Sequence, residues 1–353
     1  MTKPPPPPSG HPATEPPGLD VARLRAYLDG EHPGLREGDL RAELIPGGRS
    51  NLTYTLRDAT HTWVLRRPPL GHVLRTAHDM AREHRVISAL APTAVPVPGT
   101  VLLCADPEVI GAPFYVMEYV DGTVYRTAEQ TATLGEERAR TLAYTLVDVL
   151  ADLHEVDPAA VGLGDFGHPA GYLARQVRRW KGQLDASRSR DLPGIDELHA
   201  RLAGKVPPES GAGVVHGDYR LDNVVVDAGG HVAAVLDWEM ATLGDPLADL
   251  GLLVVYWDGL ARIGGNAVAT AVNPAAGFPP GRALAARYAE RRGADLTHLP
   301  WYTAFGFFKL AVIAEGIHYR FTRGQTVGAG FERLGQIVQP LVAYGHATLS
   351  EEA

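Results

Sequence analysis

Cysteine is almost absent: Cys104 is the only one in 353 residues. An intrachain disulfide is therefore excluded, and oxidative cross-linking plays no part in the fold. Cys104 closes the apolar run Val101-Leu102-Leu103, where a thiol behaves as a small buried hydrophobe. Long apolar runs are lacking too, and no segment reaches the ~20 residues of a membrane-spanning helix. Nor is there an excess of basic charge. Lys and Arg total 33 against 41 Asp and Glu, a net charge of −8, whereas a nucleic-acid partner calls for a concentrated basic face. Anionic ligands stay open, because a phosphate site needs only a few local donors. Met1 to Gly18 holds Pro4 to Pro8 and no apolar stretch. A secretory signal is thus not expected there, and the cytoplasm is the expected location. The composition of residues 1–18 suits a disordered, partly polyproline-like tail. Docking of a partner is the other reading of that tail.

What is present is the make-up of an ordinary globular protein, 45% hydrophobic and 21% charged. The length allows a large core and more than one domain, and no internal repeat is evident. Leu19 to Leu28 has helical spacing. Arg41 to Ile45 and Leu52 to Arg57 alternate as strands around Pro46-Gly47-Gly48-Arg49-Ser50-Asn51, which suits a hairpin turn. A third strand, Thr62 to Arg66, ends where Pro68-Pro69 blocks further ladder pairing. Met80 to Leu90 reads as a helix, and Val101 to Cys104 and Phe114 to Tyr119 as two more strands. The period then changes. Ala139 to His154 and Gly171 to Leu184 are amphipathic helices, and short strands at 214–216, 224–226 and 232–236 frame two polar clusters. Beyond Leu247 the chain reads as largely helical. The expected fold is α+β: a small antiparallel β lobe over 19–120, then a larger, mainly helical lobe over 121–353.

The polar clusters carry the chemistry. Val214-Val215-His216-Gly217-Asp218 delivers an aspartate on a tight turn, and Asn223 follows just before the chain returns to a strand. Val235-Leu236-Asp237-Trp238-Glu239 comes one hairpin later. Phosphoryl transfer needs this division: one carboxylate for the attacking hydroxyl, with an amide and a second carboxylate for Mg²⁺. Oxygen ligands suit Mg²⁺, which takes one or two protein carboxylates and keeps waters.

Together, His216-Gly217-Asp218 through Asn223 and Leu236-Asp237-Trp238-Glu239 resemble the motifs of the aminoglycoside phosphotransferase family, whose fold is protein-kinase-like. The resemblance spans roughly residues 35–330. It implies that Asp218 is catalytic, that Asn223 and Asp237 bind Mg²⁺, and that ATP or GTP donates phosphate to a small-molecule hydroxyl. It makes Glu239 a candidate for the metal's outer shell, His216 a support of the loop, and Asp249 its anchor.

On the nucleotide side, Gly47, Gly48, Arg49, Ser50 and Asn51 occupy the place of a phosphate-covering loop. A plain hairpin turn has the same composition, and the full kinase glycine signature is lacking. Arg66 stands where most of the family carries lysine, with Glu83 as the expected ion-pair partner. The segment Phe114 to Gly122 looks like the last strand entering a hinge. Backbone groups of Glu118, Tyr119 and Val120 would there meet the purine, with Met117 either lining that pocket or belonging to the core.

Leu65 to Leu74 with Ala77 to Glu83 resembles the branch of the superfamily associated with acyl-CoA dehydrogenases. Arginine at the position of Arg66 is usual in that branch, which is linked to hydroxyacyl-CoA acceptors. An aminoglycoside or other antibiotic is the rival acceptor, and a nucleotide-binding pseudokinase the rival class. Arg175, Arg178, Arg179, Arg320 and Arg323 are candidates for holding an anionic acceptor, although most arginines of this kind are surface charges.

Overall fold

The computed structural model describes residues 16–46, 51–70, 78–263, 272, 274–324 and 333–351. Gly47, Gly48, Arg49 and Ser50 of the expected phosphate loop, the proline run, and 71–77 of the branch-specific segment lie outside them. The chain forms two compact units, one from 1–88 with 98–119 and the other from 89–97 with 120–353.

The first unit opens on α1 (Val21–Glu31), where the Asp20 side chain accepts from the Arg23 N–H at 2.9 Å and so satisfies one orphan donor of the first turn. Leu24 and Leu28, one turn apart, face inward and are buried. Burial of such a side chain contributes about 1.5–3 kcal/mol. β1 (Arg41–Leu44), β2 (Leu52–Arg57), β3 (Thr62–Arg67), β4 (Thr100–Cys104) and β5 (Phe114–Glu118) form an antiparallel sheet in the order β1-β2-β3-β5-β4. Tyr54, Leu56, Leu65, Phe114 and Val116 meet α1 in the core, and Cys104 is buried with them. α2 (Met80–Leu90) follows β3, its first turn held by Asp79 on the Arg82 N–H at 2.9 Å.

The second unit is mainly helical: α3 (Ala128–Ala132), α4 (Glu136–Glu155), α5 (Tyr172–Ser187), α6 (Ile195–Gly204), α7 (Pro246–Val254), α8 (Gly281–Arg292), α9 (Leu299–Thr322) and α10 (Val338–Glu351). α9 packs against α5, α6, α7 and α10. It is therefore buried nearly all round from Trp301 to Gly316, which is why its sequence shows no polar face. Two antiparallel pairs interrupt the helices. β6 (Gly213–Val215) pairs with β9 (Thr242–Gly244), and β7 (Val224–Val226) with β8 (Val232–Val235). Gly122 lies against β7 at φ +154, and a Cβ there would sit 2.5 Å from Val226 O. No helix among the described residues is long and apolar enough to cross a membrane.

Candidate active site

β6 ends at Val215, and the chain turns through Gly217 at φ +82 to present Asp218. A Cβ at Gly217 would come within 2.8 Å of Met240 O, so the turn requires glycine on space as well as on backbone angle. The loop backbone is gripped from α7. Asp249, 2% exposed, accepts the N–H of His216 at 2.6 Å and of Gly217 at 2.8 Å. Behind it, His154 Nε2 lies 3.3 Å from Asp249 and His154 Nδ1 2.7 Å from the Tyr288 hydroxyl. Burial alone would raise the Asp249 carboxyl, but the hydrogen bonds from His154 and His216 outweigh it and hold the group below its ordinary value. α7 is fixed in turn at its N-cap. Asp245 accepts from Leu247 N at 3.0 Å and from the Tyr302 hydroxyl at 2.9 Å.

Both ring nitrogens of His216 are engaged on backbone, Nε2 with Leu236 O at 2.9 Å and Nδ1 with the Asp218 N–H at 3.2 Å. Tyr219, fully buried, donates to Leu146 O at 2.8 Å. Asp218 itself keeps 24% of its side chain exposed. Asn223 Nδ2 donates to its Oδ2 at 3.1 Å and to its carbonyl at 2.9 Å. Arg220 Nε approaches the same Oδ2 at 3.4 Å, and Arg220 Nη1 lies 3.6 Å from Asp222. Burial works against the Arg220 charge, yet Asp218, Tyr256, Asp222 and Asp237 together push the guanidinium above its ordinary range.

Asn223 and Asp237 stand side by side because Val224 pairs with Val235 and Leu236 N donates to Asn223 O at 2.8 Å. The amide nitrogen of Asn223 is turned to Asp218, and its other terminal atom is an oxygen acceptor. Two hard oxygen donors fit Mg²⁺, whose remaining positions go to phosphate and water. They would not suffice for a metal held by protein alone, and among the described residues no cluster of three His, Cys, Asp or Glu could hold one. Asp237 is the one described non-glycine residue at positive φ, +66. Strain of this kind, about 1–3 kcal/mol, gathers at functional positions.

In the first unit, β3 separates two adjacent arginines by its period of two. Arg66 Nε lies 3.1 Å from Glu83, itself 1% exposed on α2. Arg67 points the other way and ties the carbonyls of Gly18 and Ile110, the latter at 3.0 Å. Asn51, buried, accepts at Oδ1 from His78 Nδ1 at 2.8 Å. Met117 is 7% exposed and opposite Val64 and Thr100 in the sheet. The Glu118 N–H goes to Gly99 O at 2.8 Å and the Tyr119 N–H to Thr62 O at 3.3 Å.

Three residues near Asp218 escaped sequence reasoning. Tyr256 donates to Asp218 Oδ1 at 2.5 Å. Arg220, inside the motif itself, lies over the Tyr256 ring at 5.2 Å. Lys309 donates to Gly217 O at 2.5 Å and sits 5.4 Å from the Trp180 ring. Burial depresses the Lys309 ammonium, with Asp218 and Asp249 pulling the other way. Its signal was visible: a lone lysine in the apolar run from Trp301 to Ala314 needs a buried partner. Of the arginines considered for an anionic acceptor, Arg175 is bound to the carbonyls of His168 and Ala170 at the start of its own helix.

The model of the phosphotransferase enzyme family matches residues 41–298. Acyl-CoA dehydrogenase family member 11 of Gallus gallus is 34% identical over 336 residues, covering 93% of this chain and 43% of that protein. Family member 10 of Mus musculus is 34% identical over 332 residues, covering 92% of this chain and 31% of that one. The chain thus spans less than half the length of these curated relatives. A crystal structure from Ralstonia eutropha JMP134, assigned to the aminoglycoside phosphotransferases, superposes with a TM-score of 0.80 at 33% identity over 94% of this chain and 99% of that one. The GDP complex of aminoglycoside 2′-phosphotransferase-IIIa shares the fold, with a TM-score of 0.60 at 14% identity over 94% and 98% of the two chains.

Proposed function

This chain belongs to the phosphotransferase enzyme family, and from that premise we propose that it transfers the γ-phosphate of ATP or GTP to the hydroxyl of a small molecule. The acceptor we favour is a hydroxyacyl-CoA. The observation that carries the chemistry is the hold on Asp218 by Asn223, with the Leu236 N–H to Asn223 O bond bringing the Asp237 backbone next to that of Asn223. Asp218 would accept the hydrogen bond of the acceptor hydroxyl and orient its oxygen towards the phosphorus. The hydroxyl proton would pass to the carboxylate as the new P–O bond forms, the bond from the γ-phosphorus to the β–γ bridging oxygen breaks, and ADP or GDP leaves. Mg²⁺, when bound, neutralises charge on the phosphate oxygens. Asn223 and Asp237 are the residues that would hold it. Arg66, braced by Glu83, is assigned to the donor phosphates, where a guanidinium can bridge two oxygens.

The acceptor reading is supported by the relatives named for acyl-CoA dehydrogenases, which match along 93% of the chain. The Ralstonia structure favours a second reading, an aminoglycoside acceptor. Release of ADP or GDP by the purified chain, measured across hydroxyacyl-CoAs and aminoglycosides with Mg²⁺ present, separates the two. Turnover on hydroxyacyl-CoAs alone supports the first. Turnover confined to aminoglycosides overturns it in favour of the second.

A further inference from the structure

Asp218 has two oxygens, and different parts of the fold hold them. Asn223 and Arg220 both engage Oδ2, from within the same short loop. Oδ1 receives the Tyr256 hydroxyl at 2.5 Å, from a residue 38 positions away. We propose that Tyr256 is a positioning residue for phosphoryl transfer, fixing the plane of the Asp218 carboxylate through Oδ1; this rests on the phosphotransferase reading.

The terminal torsion of an aspartate is broad and two-fold, so a carboxylate held at one oxygen alone pivots about it. A hydrogen bond at each oxygen removes that freedom. Oδ1 keeps a second lone pair for the acceptor hydroxyl, so the phenol orients the group without taking its place. Tyr256 reaches this point because regular α7 gives way to a π-helical turn, Val255–Gly259. The wider turn shifts the phase of the side chains that follow, and such turns recur at functional sites. One continuous element thereby controls the loop twice. Asp249 of α7 takes the His216 and Gly217 amides, and the π turn takes the Asp218 carboxylate. Tyr256 is 5% exposed, and Arg220 lies 5.2 Å over its ring. Burial, together with Asp218, keeps the phenol protonated by pushing it well above its ordinary range. Space filling alone would be met by phenylalanine, without the need to find a partner for a buried hydroxyl.

Tyr256→Phe in the full chain removes one oxygen and keeps the ring under Arg220. With whichever acceptor the wild type uses, kcat should fall about 10- to 100-fold, the loss expected from a misplaced reacting group. KM for the Mg-nucleotide should stay within about twofold, because ground-state binding is untouched. In an Asp218→Asn background the same change should cost nothing further. A wild-type kcat in Tyr256→Phe overturns the proposal, as does an equal loss in both backgrounds. Phosphate found on Tyr256 by mass spectrometry after incubation with Mg-ATP also overturns it, since the phenol would then be an acceptor. Should the wild type transfer to no acceptor, the phosphotransferase reading fails by itself. Urea midpoints still judge the contact then: shifts of the two single variants that simply add in the double variant overturn it, and non-additive shifts uphold it.

Discussion

At the scale of single residues, the site depends on backbone conformations that few side chains tolerate. Gly217 combines φ +82 with a Cβ position 2.8 Å from Met240 O. Gly217→Ala must therefore displace the turn or the Met240 backbone, and about 2 kcal/mol of stability should be lost, more than left-handed strain alone costs. The displaced turn carries Asp218, so kcat should fall even below the melting temperature. Chemical denaturation and initial rates on one preparation check both. Arg66 makes a different demand. Arg66→Ala should weaken Mg-nucleotide binding about tenfold, the worth of a charge-assisted hydrogen bond. It should also destabilise the first unit by about 3 kcal/mol, because the buried Glu83 carboxylate loses one of its partners. Arg66→Ala with Glu83→Gln should recover stability but not affinity. Calorimetric titration beside thermal melting distinguishes the two effects.

At the scale of elements, α7 with its π turn organises the loop, and Asp249 makes that dependence sensitive to acid. The folded Asp249 carboxyl titrates below its ordinary value, near 3.9 in the unfolded chain. The unfolded chain thus binds the proton first on acidification. The stabilisation is complete above about pH 5 and is lost progressively as pH falls through the folded value. Asp249→Asn should cost about 3 kcal/mol at neutral pH, since it leaves buried N–H groups short of an acceptor. It should also flatten the acid limb of stability against pH. Urea denaturation from pH 3 to 7 reads both effects; an unchanged acid limb would mean that another carboxyl dominates it. Elements of this sort were only partly legible in the sequence. β2, α2 and the β6 and β7 strands could be read from the sequence, and the pairing of Arg66 with Glu83 followed from the resemblance to the family. The π turn could not, because nothing in Leu250 to Trp257 marks where the helical phase slips. Tyr256 therefore reads as one more apolar-face residue until the fold brings it to Asp218. Lys309 likewise acquires its partner, Gly217 O, from a segment 92 positions away.

At the scale of the whole molecule, the sequence spans 93% of its own length in the match to family member 11, but 43% of that protein. We expect the chain to carry phosphoryl transfer by itself, because Asp218, Asn223, Asp237, Arg66 and their braces all lie within it. The motifs made the reaction class legible, since metal and hydroxyl impose fixed residue types at fixed spacing. The acceptor was not, because no short motif in the sequence specifies it. The central claim is that a hydroxyl acceptor is phosphorylated at Asp218. Its most direct measurement follows γ-labelled ATP or GTP with Mg²⁺ and a hydroxyacyl-CoA in the wild type and in Asp218→Asn. Label should move to the acceptor in the wild type, and about 10³-fold more slowly or not at all in the variant, with nucleotide binding retained. Equal transfer by the two proteins would contradict the account.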